Sequence, residues 1–440
     1  MNHPTTLEAH RVLPESAHRE DAAQFVRWLL GQLQLPVECD GADAVLVLPP
    51  QDRDEFAGQQ RLRLPMRGAA AAGQESLAWD GRFGRWLLQR TQQAGSALHA
   101  RPRVQPMAVS EIAARLFPAY QVDGGQMHLA GCQLTDHPFV RLSFAGDEPD
   151  GDIRHVYVAP DGSTVGDQLV PQLGLDDLTP LVKGAPRLDP TRQAALVAAG
   201  RRIAVKQSTS RHPDAVAVEP IAVAVIWVRH AEGRVQFAIG AAAAALAFSS
   251  WARLLEAPPF QARHSGAQTF HLAATDDGRI DAAEQIEACQ QSGRRVLKGE
   301  LVPCSVTGKR VLADFTAKCP VSGRPALRHE FATCMTCRQR VSKVVMVEGR
   351  CGACRTLTRV GKDEPRLAWI LGEHAGLDAW NRWRLAETAD VYIAEAAGML
   401  KRLLLVVDKE TLAVRRLATA TRLNSDWAEA PEAERPNYLG

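Results

Sequence analysis

Residues 289–360 read CQQSGRRVLKGELVP, CSVTGKRVLADFTAK, CPVSGRPALRHEFAT, CMTCRQRVSKVVMVEGR and CGACRTLTRV, broken here at each recurrence of cysteine. Cys289, Cys304, Cys319 and Cys334 recur every 15 residues. The shared pattern is Cys-x-x-Ser/Thr-Gly-Lys/Arg-x-Val/Ala-Leu with a later apolar residue. A strict short period is the mark of stacked supersecondary units, each too small to bury a core alone. Each unit reads as a tight turn followed by an apolar strand. Gly293, Gly308 and Gly323 supply the left-handed backbone that such a turn needs. Cys289, Cys304, Cys319 and Cys334 are expected at equivalent turn positions, with Val296, Leu297, Val311, Leu312 and Leu327 facing a shared interior.

The last two knuckles are complete. Cys334-Met-Thr-Cys337 and Cys351-Gly-Ala-Cys354 place two pairs of thiols at a spacing that suits a tetrahedral all-cysteine Zn2+ site. A redox dithiol would sit in a thioredoxin-like βαβ context, which the pattern lacks. The first three units replace the second cysteine with Ser292, Thr307 and Ser322. Two readings stay open for them. Cys289, Cys304 and Cys319 with His329 would make a second metal site, or the units hold together by packing alone. The segment resembles zinc ribbons, and its repeats look like those of uncharacterised bacterial proteins. That resemblance implies a metal site and no particular activity.

Net charge is +2, yet residues 289–362 hold 15 Lys+Arg against 4 Asp+Glu, a local +11, leaving −9 for the rest. A basic module in an acidic protein points to an anionic partner. Arg294, Arg295, Lys309, Arg310, Arg338 and Arg340 follow the knuckles and are the candidate nucleic-acid contacts. Repeated hairpins would set them in a row able to track phosphates, with little base reading.

At 440 residues the chain exceeds one typical core. The expected class is α+β and multidomain. An N-terminal α/β region spans 1–105, a β-rich middle 106–285, a hairpin array 286–362 and a small αβ region 363–440. Helices are expected over 21–35 and 82–93, and a linker over 94–106. Strands are expected over 126–130, 139–144 and 155–159, with a hairpin of 220–229 and 233–240 turning at 230–232. A short helix is expected over 249–256, two more over 365–383, and a meander over 391–418. The longest apolar run, 239–248, is too short to span a bilayer. Residues 1–21 have no apolar core, and the nine cysteines suit a reducing compartment, so a cytoplasmic protein of bacterial composition is expected.

The motifs of phosphate-binding loops, nucleophile elbows and zinc proteases are missing: Gly308-Lys309 runs into Arg310, and His329-Glu330 has no second histidine at the required spacing. The expectation is therefore a zinc-binding accessory or adaptor subunit of a protein complex, docking on nucleic acid or a partner that handles it. The alternatives are an enzyme, for example a nuclease, with scattered catalytic residues in the first two regions, or a structural scaffold.

Overall fold

A computed structural model describes residues 19–41, 43–67, 70–95, 97–145, 152–209, 219–422 and 426–440. The reading of the N-terminal tail therefore lies largely outside the described residues. The fold is β-rich α+β, with helices and many strands. Among the described residues no helix is long and apolar enough to cross a membrane. The chain divides into two compact units, residues 1–238 with 243–260, and residues 239–242 with 261–440.

The first unit is built on a seven-stranded sheet. Leu98–Pro102 is one of its strands and pairs in parallel with Ala222–Ile239. The sheet thus spans the boundary expected near residue 105, and the expected linker is partly strand. The reason is legible afterwards: Leu98, Ala100 and Pro102 alternate inward, the period of a half-buried strand. A long strand, Gly125–Phe144, absorbs two that were expected separately. The expected turn at 230–232 is likewise mid-strand within Ala222–Ile239. His-Ala-Glu has no turn chemistry, whereas Gly240 adopts φ +59° and starts the return strand Ala242–Trp251. That strand also takes up 249–251, which were expected to be helical. Helices Ala22–Gln32 and Arg82–Gln93 pack on the three-stranded sheet of Val37–Asp40, Asp43–Val47 and Arg61–Pro65.

In the second unit a ladder of hairpins leads into a six-stranded sheet. The hairpins pair Ile286–Ala288 with Arg295–Leu297, Leu301–Pro303 with Arg310–Leu312, Thr316–Lys318 with Pro325–Leu327, and Phe331–Thr333 with Arg340–Ser342. A short 3-10 turn at 298–300, 313–315, 328–330 and 343–345 links each to the next. The meander Val391–Ala397, Lys401–Asp408 and Val414–Thr421 is antiparallel. Buried Cys319, Cys334 and Val341 share one apolar cluster with Val391, Ile393, Leu404 and Val406 of that meander. Array and C-terminal region thus form a continuous core across residue 362.

The array also starts one repeat earlier than its first cysteine. Gly278 lies 15 residues before Gly293, and Ile280–Ala282, a 3-10 turn at 283–285 and Ile286–Ala288 repeat the later pattern. Here the cysteine position is Ala274, so a search keyed on cysteine passes over it. The inward position taken by Val296, Val311, Ala326 and Val341 is Asp281 in this first repeat. Asp281 is fully buried, and it accepts hydrogen bonds from the Ser265 hydroxyl and amide and from the Ala282 amide. Ser265, from the segment that precedes the array, thus satisfies a buried carboxylate where the later repeats carry an apolar side chain.

Candidate metal centre and basic edge

Each cysteine of the ladder sits at the same point of its turn. The amides of Cys289, Cys304, Cys319 and Cys334 donate to the carbonyls of Arg294, Lys309, Arg324 and Gln339 at 2.8, 2.8, 3.0 and 2.9 Å. Their own carbonyls accept from Gly293, Gly308, Gly323 and Arg338 at 2.7–2.9 Å. Those three glycines hold φ between +69° and +75°. Arg338 holds φ +61° in the equivalent place, a conformation that costs a side chain about 1 kcal/mol.

Cys334, Cys337, Cys351 and Cys354 converge. Their sulfurs lie within 4.8 Å of one another and all four side chains are buried. The Cys334–Cys354 and Cys337–Cys351 separations are both 3.8 Å. A disulfide would need about 2.05 Å. A regular tetrahedron with metal–sulfur bonds of about 2.3 Å has edges near 3.8 Å, so the group can hold a metal ion such as zinc. The Cys351 amide donates to the Cys334 sulfur at 3.3 Å and the Cys354 amide to the Cys351 sulfur at 3.4 Å. Thiols packed this closely cannot all ionise unaided. Hydrogen bonds from Cys337, Cys351 and Cys354 pull the Cys334 thiol down, while Cys334, Cys337 and Cys351 push the Cys354 thiol up. A bound cation removes that conflict by stabilising every thiolate together.

The proposed grouping of Cys289, Cys304, Cys319 and His329 does not form. The three cysteines occupy successive repeats, and among the described residues the only metal-capable group is the four-cysteine one. His329 is exposed and lies 3.4 Å from Glu330. Each lone sulfur instead accepts an amide hydrogen bond from the following repeat: Leu312 to Cys289, Leu327 to Cys304 and Ser342 to Cys319, each at 3.4 Å. Burial pushes the Cys289 thiol up, but hydrogen bonds from the Ser292 hydroxyl and from the Leu312, Gln291 and Ser292 amides outweigh it and bring it to about 7. Thr307 and Ser322 serve Cys304 and Cys319 in the same way. The hydroxyl that replaces each second cysteine is thus a donor to the first, and the sulfur is a joint between repeats.

Sequence reading also missed Arg416, which is 4% exposed. Its guanidinium donates to the carbonyls of Met335, at 3.2 Å, and of Thr336, and pairs with Glu429 at 3.0 Å. It fixes the backbone between Cys334 and Cys337 to the sheet. No local motif announces it, because the residue lies about 80 positions away on the strand Val414–Thr421. Supports of this kind typically change metal affinity by 10–100-fold. Arg416→Ala is therefore expected to weaken zinc binding by roughly 10–100-fold in competition with a chromophoric chelator. An unchanged affinity would show that Arg416 does not support the metal site.

Five of the six candidate basic residues fall into two rows. Arg294 and Lys309 occupy equivalent turn positions, and the row continues to Arg324, which the sequence reading left out. All three are exposed and have no ion-pair partner among the described residues. Arg295, Arg310 and Arg340 form the second row, interrupted at Pro325. Within it Arg310 is engaged, donating to the Lys298 carbonyl at 2.8 Å and lying 3.3 Å from Glu287. Arg338 belongs to neither row, since it fills the glycine position of its turn. Comparison of the chain with models of protein families, with curated proteins and with solved structures finds no match.

Proposed function

We propose that the protein is a zinc-binding accessory subunit whose hairpin array docks on nucleic acid through its basic edge. The observation that carries this reading is the row of Arg294, Lys309 and Arg324, one cation per repeat, exposed and unpaired among the described residues. Unpaired cations held at a fixed interval by a stacked scaffold suit a polyanion with regularly spaced charges. Zinc in the four-cysteine site pins the end of the array, and its thiolates offset part of the local charge.

Contacts of this kind are made to phosphates, so duplex and single-stranded DNA of unrelated sequences should bind with similar affinity. Titration of the full chain against both at low and moderate salt tests this. Affinity is expected to fall steeply as salt rises, because phosphate contacts release counterions. No binding at low salt would overturn the nucleic-acid reading and leave the basic edge as a surface for an acidic protein.

A further inference from the structure

The meander of the second unit ends one of its hairpins on the most exposed large apolar residues among those described. Val391–Ala397 and Lys401–Asp408 are joined by Gly398, Met399 and Leu400, and the Gly398 amide donates to the Lys401 carbonyl at 2.9 Å. Met399 is 90% exposed and Leu400 80%, and neither packs on the core beneath. Tight hairpin ends ordinarily carry Gly, Asn or Asp, which suit both the turn and water. Two large apolar side chains held out in solvent add nothing to the packing of this fold. They suit an apolar environment outside it.

Cations and indoles surround the base of the tip. Lys401 follows Leu400, and the Arg422 amide donates to the Leu400 carbonyl at 3.1 Å. Arg382 follows Asn381, whose carbonyl accepts from the Ala397 amide at 3.1 Å. Lys401, Arg422 and Arg382 are exposed, and none has an ion-pair partner among the described residues. Glu395 of the same hairpin is already held by Arg402 at 2.8 Å. That guanidinium lies over the Trp427 ring, 4.9 Å from its centroid, and Trp380 lies beside Gly398. Both indoles are half-buried. From the tip inward the order is apolar side chains, then indoles and cations. A bilayer shows the same order from acyl chains to headgroups, where Trp, Lys and Arg gather.

We propose that this tip docks the protein on an anionic phospholipid surface, with Met399 and Leu400 entering the acyl region and Lys401, Arg422 and Arg382 meeting headgroup phosphates. A protein partner would need a socket shaped to the convex tip, whereas a fluid bilayer yields to it. The tip also stands apart from the array. The array meets the opposite end of the hairpin, where the Ala389 amide donates to the Pro320 carbonyl at 2.7 Å. The strand between Ala389 and Met399 spans roughly 30 Å. The docking needs no spanning helix, and it is independent of the array's proposed role.

The test is flotation of the full chain with vesicles of phosphatidylcholine alone and of its equal mixture with phosphatidylglycerol. The chain should float with the mixed vesicles and not with the neutral ones. Met399→Asp with Leu400→Asp should weaken that binding by about tenfold or more, because both side chains lose their place in the acyl region. Both stand in solvent, so circular dichroism and zinc content should not change. If that variant does not fold, Met399→Ser with Leu400→Ser takes its place. Lys401→Glu with Arg422→Glu should also weaken binding, whereas charge reversal at Arg294, Lys309 and Arg324 should leave it in place. No flotation with mixed vesicles, or equal flotation of a folded tip variant, would overturn the proposal. So would binding lost on reversing the array row and kept in the tip variant, since that is adsorption through the array's charge alone.

Discussion

Stripping the metal from the four-cysteine site is expected to unfold the C-terminal end of the array while the first unit stays folded. Structural zinc contributes folding free energy on the order of 10–16 kcal/mol in small finger peptides, more than most whole domains have to spare. Here the four sulfurs also belong to the apolar cluster that joins the array to the Val391–Thr421 meander, so their release exposes that core. Limited proteolysis after chelation should therefore cut within 319–360 before it cuts the seven-stranded sheet. Elemental analysis of protein purified without chelators should find one zinc per chain, and Cys334→Ser should abolish it. A zinc content of zero would contradict the assignment.

A charge in the middle of the ladder is the second large effect. Val311 is fully buried among Leu301 and Cys304 of its own hairpin and Cys289, Val296, Ala326 and Leu327 of the two neighbouring ones. Val311→Asp buries an unpaired carboxylate there and should cost about 3–5 kcal/mol. Stacked repeats depend on their nearest neighbours, so the damage should spread. Hydrogen exchange should quicken in 286–297 and 316–327 as well as in 301–312. Zinc should stay bound, because the four cysteines pack in a different cluster from Val311. Faster exchange confined to 301–312 would mean that the hairpins are independent.

The ladder was legible because two signals coincided. The 15-residue period fixed the turns, and complete Cys-x-x-Cys pairs named the four ligands. Even so, a period keyed on cysteine missed the first repeat, where Ala274 stands in the cysteine position and Asp281 in the apolar one. The second metal site failed for a geometric reason: equal spacing along a stacked array holds equivalent residues apart, one per repeat, and does not gather them. Turn chemistry decided the longest strands. Gly240 ends one at its φ of +59°, whereas His-Ala-Glu at 230–232 was read as a turn only because it interrupts an apolar run. Arg416 was illegible, since a lone arginine in a strand is ordinary in sequence, and only the fold puts the 335–336 carbonyls against it.

The proposed docking edge is the row of Arg294, Lys309 and Arg324, one cation per repeat, in contact with phosphates. The most direct measurement is the salt dependence of duplex DNA binding by the full chain, compared with that of a variant carrying Arg294→Glu, Lys309→Glu and Arg324→Glu together. Each duplex phosphate contact contributes about −0.9 to the slope of log affinity against log salt. Losing three contacts should flatten that slope by about 2.7 and weaken binding at low salt, while zinc content and fold stay unchanged. A variant that binds as tightly as the unaltered chain, with the same slope, would rule out phosphate contacts along this edge.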